Sequence, residues 1–135
     1  MSDDTCEEIY RKFFTTDDLI ELEWKIIKYM CDMSGIYDTF PETLLFHRND
    51  FKTFIDRKLE QGYSDDKVGR LYKIIMDKVM TRLEQRNAVE VVTQYQYGDS
   101  KMILYEKKKI LKDLCNEFKK HTETNKSFID NLLPY

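Results

Sequence analysis

The residues in this chain best placed to do chemistry are cations. Lys67, Arg70, Lys73 and Lys78 lie within one segment, off the positions that carry its apolar side chains. Clustered Lys and Arg do one kind of work well. They neutralise phosphate, and each contact gains affinity by releasing condensed counterions. Lys101 and the run Lys107-Lys108-Lys109 extend the positive character further along the chain. Against this stands the ordinary behaviour of a solvated helix face, and Asp65, Asp66, Asp77 and Glu84 dilute the same segment.

Other chemistry is poorly provided for. His47 and His121 are the only histidines, and neither neighbours a cysteine, a serine elbow or a second histidine at ligand spacing. Gly35, Gly62, Gly69 and Gly98 are isolated, so no glycine loop cradles a phosphate. The pairs Asp17-Asp18 and Asp65-Asp66 sit where helix capping explains them. The expectation is a non-enzyme with no cofactor, no metal and no small-molecule substrate. Cys6, Cys31 and Cys115 are odd in number and far apart, which argues against both a disulfide framework and zinc. They read as buried thiols in a reducing compartment.

The elements that must position these residues follow from spacing. Thr5-Cys6-Glu7-Glu8 has the form of a capping box, and Cys6, Ile9, Tyr10, Phe13 and Phe14 follow at helical intervals. Thr15-Thr16-Asp17-Asp18 opens a second helix with Leu19, Leu22, Ile26, Ile27 and Met30 on its inner face. Thr39-Phe40-Pro41-Glu42 predicts the start of a short helical piece. Asn49 or Asp50 caps a further helix that buries Phe51, Phe54, Ile55 and Leu59. Ser64-Asp65-Asp66 starts a long one, about Asp65 to Arg86, with Val68, Leu71, Tyr72, Ile75, Val79 and Leu83 inward.

The period then changes from helical to two. Val89, Val91, Tyr95 and Tyr97 are expected on one side of a strand, and Glu90, Gln94 and Gln96 on the other. Gly98-Asp99-Ser100 is turn chemistry, and Met102 to Tyr105 a second strand, so the pair reads as an antiparallel hairpin. Ile110, Leu111, Leu114, Phe118 and His121 return to helical spacing.

The predicted fold class is therefore mainly α with a small β-hairpin. The order of helices, a long helix ending in Arg82-Leu83-Glu84-Gln85-Arg86-Asn87, a hairpin and a closing helix resembles the winged-helix fold over roughly residues 17–120. Thr81 to Val92 looks like the end of a recognition helix running into the first wing strand, and Gly98-Asp99-Ser100-Lys101 would be the wing tip. The segment Phe51 to Arg86 is longer than the usual pair of helices in that fold. The resemblance implies an extra N-terminal helix and a C-terminal helix and tail around the common core. It also implies a use for the cations. A DNA-binding winged helix lays its long helix in the major groove and touches phosphate with the wing. Lys67, Arg70, Lys73, Lys78, Lys101 and Lys107 would then form the nucleic-acid surface, in transcription or genome maintenance.

A second use of the same architecture is protein contact or homodimerisation in a chromatin, telomere or other multiprotein assembly. The charge distribution supports both. Residues 1–64 carry 14 acidic against 8 basic side chains, and residues 65–120 carry 13 basic against 9 acidic. A third reading is an all-helical bundle in which residues 88–105 form no hairpin. Residues 1–126 read as one domain and 127–135 as an amphipathic tail. In that tail Phe128, Ile129, Leu132 and Leu133 either fold back or dock a second copy. A homodimer is expected. The acidic start Met1-Ser2-Asp3-Asp4 lacks the order of a signal peptide, and no apolar run approaches the roughly 18 residues of a membrane span. The expected setting is intracellular, nucleus or cytoplasm, not secreted and not in a membrane.

Overall fold

Short polar side chains mark where the helices begin. Thr5 Oγ1 accepts the amide of Glu8 at 3.2 Å and starts α1 (Cys6–Phe13). Thr15 and Asp18 satisfy each other reciprocally at the start of α2 (Thr16–Asp32): Asp18 Oδ2 accepts the Thr15 amide at 2.8 Å, and Thr15 Oγ1 accepts the Asp18 amide at 3.3 Å. Ser64 Oγ accepts the Lys67 amide at 3.3 Å and opens α5 (Asp65–Gln85). The remaining elements are β1 (Thr39–Pro41), α3 (Glu42–His47), α4 (Phe51–Leu59), β2 (Val89–Tyr97), β3 (Ser100–Lys107) and α6 (Lys109–Lys120). The computed structural model describes residues 5–33, 36, 39–47, 50–59, 62–97 and 100–120, with backbone alone for 93–97, 100–102 and 118–120. The tail residues Phe128, Ile129, Leu132 and Leu133 lie outside the described residues.

Asp18 does more than cap. Its other oxygen, Oδ1, meets Lys58 Nζ at 3.0 Å and so ties α2 to α4. Burial pushes the Asp18 carboxyl up, but the Thr15 amide and the Lys58 ammonium outweigh burial and hold it below the usual carboxylate range. Asp18→Ala is therefore expected to cost about 0.5–2 kcal/mol at neutral pH, a cap-sized loss. Because the folded-state pKa is lowered, this contribution is full above pH about 4 and fades as pH falls through the lowered value. Urea midpoints of parent and variant should differ at neutral pH and converge in acid. A gap of equal size at both would show that the carboxylate charge contributes nothing.

The long helix ends in a defined way. Asn87 takes a positive φ of 62°, its amide bonds the Glu84 carbonyl at 3.0 Å, and the Ala88 amide bonds the Leu83 carbonyl at 2.9 Å. This is a Schellman closure, with Leu83 and Ala88 both buried beneath it. It turns the chain directly into β2.

The sheet is antiparallel with order β1-β3-β2, so the hairpin expectation holds and a third strand joins it. Thr39–Pro41, expected as a helix start, pairs with Glu106, Tyr105 and Leu104 of β3, and the helix begins only at Glu42. Phe40, in the middle of that strand, is wholly buried against the ring of Tyr29. A partner strand 65 positions away decides the matter, and no local pattern records it.

The face expected for β2 is also corrected. Val91 pairs with Tyr105 but Thr93 pairs with Leu104, so Val92 is an extra residue in a bulge. From that point the alternation is inverted. Positions 89 and 91 share a face with 94 and 96, and positions 95 and 97 fall on the opposite one.

The core forms where α5 packs on α1 and α2, α2 on α6, and the sheet on α3 and α6. Leu22, Ile26, Ile27 and Met30 of α2 meet Leu71, Ile75, Val79 and Leu83 of α5 among the buried residues, joined by Phe51, Ile55, Leu111 and Leu114. Those of α2, α4 and α5 were expected to face inward. The cysteine expectation is overturned. Cys31 of α2 and Cys115 of α6 are joined by a disulfide across 84 residues of sequence, and Cys6 is the free thiol. Sequence distance carried no signal here, because the two residues meet only when α6 packs on α2. No described helix is long and apolar enough to cross a membrane.

Candidate interaction surface on the long helix

The outward side of α5 is built by what the inner side excludes. With Leu71, Ile75, Met76, Val79, Met80 and Leu83 buried, Asp66, Arg70, Lys73, Asp77, Thr81 and Glu84 recur every three or four residues and are all exposed. That stripe carries three carboxylates and two cations.

The structure divides the cations grouped by sequence. Arg70 and Lys73 stand on the exposed stripe. Lys67 and Lys78 sit at its edge toward α1, both half-buried. The Cys6 Sγ of α1 lies 3.6 Å from the Lys67 carbonyl. Lys78 Nζ meets Glu7 at 3.1 Å and lies over the Tyr10 ring, 4.7 Å from its centre. Burial pushes the Tyr10 hydroxyl up, partly countered by that ammonium. Lys107 is 6% exposed and lies 6.0 Å from the centre of the Phe40 ring. It belongs to the sheet's packed side, so it is no surface cation available to a phosphate. Lys101 occupies a backbone position opposite Gln96, and its side chain is outside the described residues.

Lys73 is held by two carboxylates. Its Nζ lies 2.7 Å from Glu42 Oε1 and 3.2 Å from Asp77 Oδ1. Burial works against its charge, but the two carboxylates more than offset that and raise its pKa. The other oxygen of Glu42 accepts the Tyr105 hydroxyl at 3.1 Å, so one carboxylate links α3, α5 and β3. Burial and that carboxylate together push the Tyr105 hydroxyl far up, and it stays a protonated donor. The Lys73–Asp77 pair was legible as an i,i+4 spacing. Glu42 and Glu7 were not, because each lies in a different element from its partner.

Beside the stripe, α3 and α5 leave a cleft of about 200 Å³. Phe46, Tyr72 and Met76 line it with apolar surface, Glu42 and Lys73 edge it, and Gly69 opens it. Apart from its chain neighbours and its own helix backbone, no described atom lies within 4 Å of where a Gly69 side chain would begin. The Tyr72 hydroxyl donates to Asp56 of α4, and burial together with that carboxylate pushes its pKa well up. His47 is exposed and packs edge-on against the Phe46 ring at 4.9 Å. Among the described residues no group of three or more His, Cys, Asp or Glu side chains could hold a metal ion.

What this surface offers is mixed charge in fixed ion pairs next to a shallow apolar cleft. Comparison with protein-family models, with curated proteins and with solved structures finds no match to this chain.

Proposed function

We propose that this chain is a non-catalytic winged-helix module that presents the exposed face of α5 to a protein partner in a multiprotein assembly, rather than to duplex DNA. The architectural part rests on order and pairing. A helix leads into β1, further helices end in the long α5, and β2 and β3 follow as a hairpin with β1 on its far side.

One observation carries the choice of partner. Two of the cations that would neutralise phosphate are already held by the protein's own carboxylates, Lys73 by Glu42 and Asp77 and Lys78 by Glu7. The stripe also bears Asp66, Asp77 and Glu84, which repel a phosphate backbone. To bind DNA, Lys73 and Lys78 would have to leave these partners, and three carboxylates would face the duplex. A protein surface with charges of both signs and an apolar side chain for the cleft meets no such opposition.

Retention on random-sequence duplex DNA at low and moderate salt tests this reading. No retention at moderate salt is expected, and charge reversal of Arg70 and Lys73 together should change nothing. A steep loss of affinity with salt, flattened by about two units in that double variant, would return the DNA reading.

A further inference from the structure

The two edges of the sheet are guarded unequally. An open strand edge is a template for another strand, and natural proteins blunt it with short length, proline, lysine or a bulge. The β1 edge is three residues long and ends in Pro41. The β2 edge, Val89–Tyr97, is nine residues long and has no proline. Its one charged residue is Glu90, in a chain that is 35% charged. Beyond the bulge at Val92 its register against β3 runs unbroken from Thr93 to Tyr97.

The apolar surface points to the same place. Of the described large hydrophobic residues, only Ile36, Val91 and Val92 are exposed, and the two valines are adjacent on this edge strand at 37% and 40% exposure. A backbone edge with no partner strand among the described residues, an almost uncharged strand and adjacent exposed valines therefore coincide.

We propose that the β2 edge pairs antiparallel with the β2 edge of a second copy across a two-fold axis, joining two three-stranded sheets into one of six. A second copy is the occupant this edge fits. A two-fold interface must be self-complementary, and a strand with a single charge near one end can face itself with few like charges opposed. The shared edge supplies main-chain hydrogen bonds, and the exposed valines leave water. The surface is separate from the α5 face, so a dimer formed or not formed here leaves the partner reading standing.

The test uses the full chain in a Cys6→Ser background, so that no intermolecular disulfide contributes. Sedimentation equilibrium from micromolar to near-millimolar protein should show the mass rising from 16.4 kDa toward twice that value. Hydrogen exchange of the β2 amides should slow as concentration rises, while α4 amides do not change. Val92→Lys with Gln94→Lys should weaken association at least tenfold at unchanged helical circular dichroism. Thr39→Lys, on the guarded edge, should leave it intact. Three results would each overturn the proposal: a monomeric parent at near-millimolar concentration, a dimer without added protection at β2, or a folded lysine variant that associates like the parent. The exchange measurement on the parent decides the matter even where the lysine variant fails to fold.

Discussion

Replacing Glu23 by alanine is expected to destabilise the fold by about 3–5 kcal/mol, the range for breaking a buried ion pair from one side. Glu23 lies in the middle of α2 and is 1% exposed. Its Oε2 accepts Arg82 Nε at 2.5 Å, and its Oε1 accepts an Arg86 terminal nitrogen at 3.3 Å. Arg86 is itself only 5% exposed, at the C-cap of α5. Without the carboxylate, the desolvation of Arg86, 5% exposed, loses the compensation that Glu23 gives it, while Arg82 at 22% exposure still meets solvent. The loss corresponds to a melting point lower by roughly 10–20 °C for a chain of this size. Removing the carboxylate together with Arg86, the more buried of its two arginines, is gentler. Glu23→Leu combined with Arg86→Met should recover much of the stability, because apolar groups of similar volume carry no desolvation cost. Thermal and urea unfolding of the single and double variants measure this directly. A single variant within about 1 kcal/mol of the parent would mean that the cluster is solvated in solution. The same cluster sets the end of α5 against α2, and so fixes where the helix hands over to the hairpin.

Losing the Cys31–Cys115 bond is expected to cost about 4–5 kcal/mol. The cross-link closes a loop across 84 residues, and the entropy that this closure removes from the unfolded chain grows slowly with loop length. A dithiol reductant, or the variant Cys31→Ala with Cys115→Ala, should lower the melting point by roughly 15–20 °C. The bond also fastens α6 to α2, so residues of α6 should gain hydrogen exchange first when it is cut. Thiol titration gives an independent reading. In denaturant without reductant one thiol, Cys6, should react, and after reduction all three should. Three reactive thiols before reduction would remove the bond from the account. Both cysteines are buried, so reduction of the folded protein should be slow and should speed up under partial unfolding.

The positions of the helices were legible because their causes are local. Thr15 and Asp18, or Ser64 and the Lys67 amide, lie three residues apart, and the chain brings them together as soon as one turn forms. The inner faces were legible for the same reason. Leu71, Ile75, Val79 and Leu83 recur at the pitch of the helix and are buried as a stripe. The hairpin was visible in its turn residues and alternation, but its faces were not. Only pairing reveals the bulge at Val92, and one extra residue moves positions 95 and 97 to the opposite side from 89 and 91.

The candidate surface was the least legible part. Sequence grouped Lys67, Arg70, Lys73, Lys78 and Lys107 by charge and spacing. Packing then distributed them: Lys73 to Glu42, Lys78 to Glu7, and Lys107 to a buried place beside Phe40. By itself the sequence determined where α1, α2, α4 and α5 run, which stripe of each faces inward, and that two strands meet in a hairpin. These follow from contacts within a few residues. Only the tertiary structure decided that Thr39–Pro41 is a strand, that Cys31 meets Cys115, that Glu23 holds two arginines, and which cations remain on the surface. Each of those depends on groups tens of residues apart. Their energies arise from burial and through-space charge, and neither exists until the helices have packed.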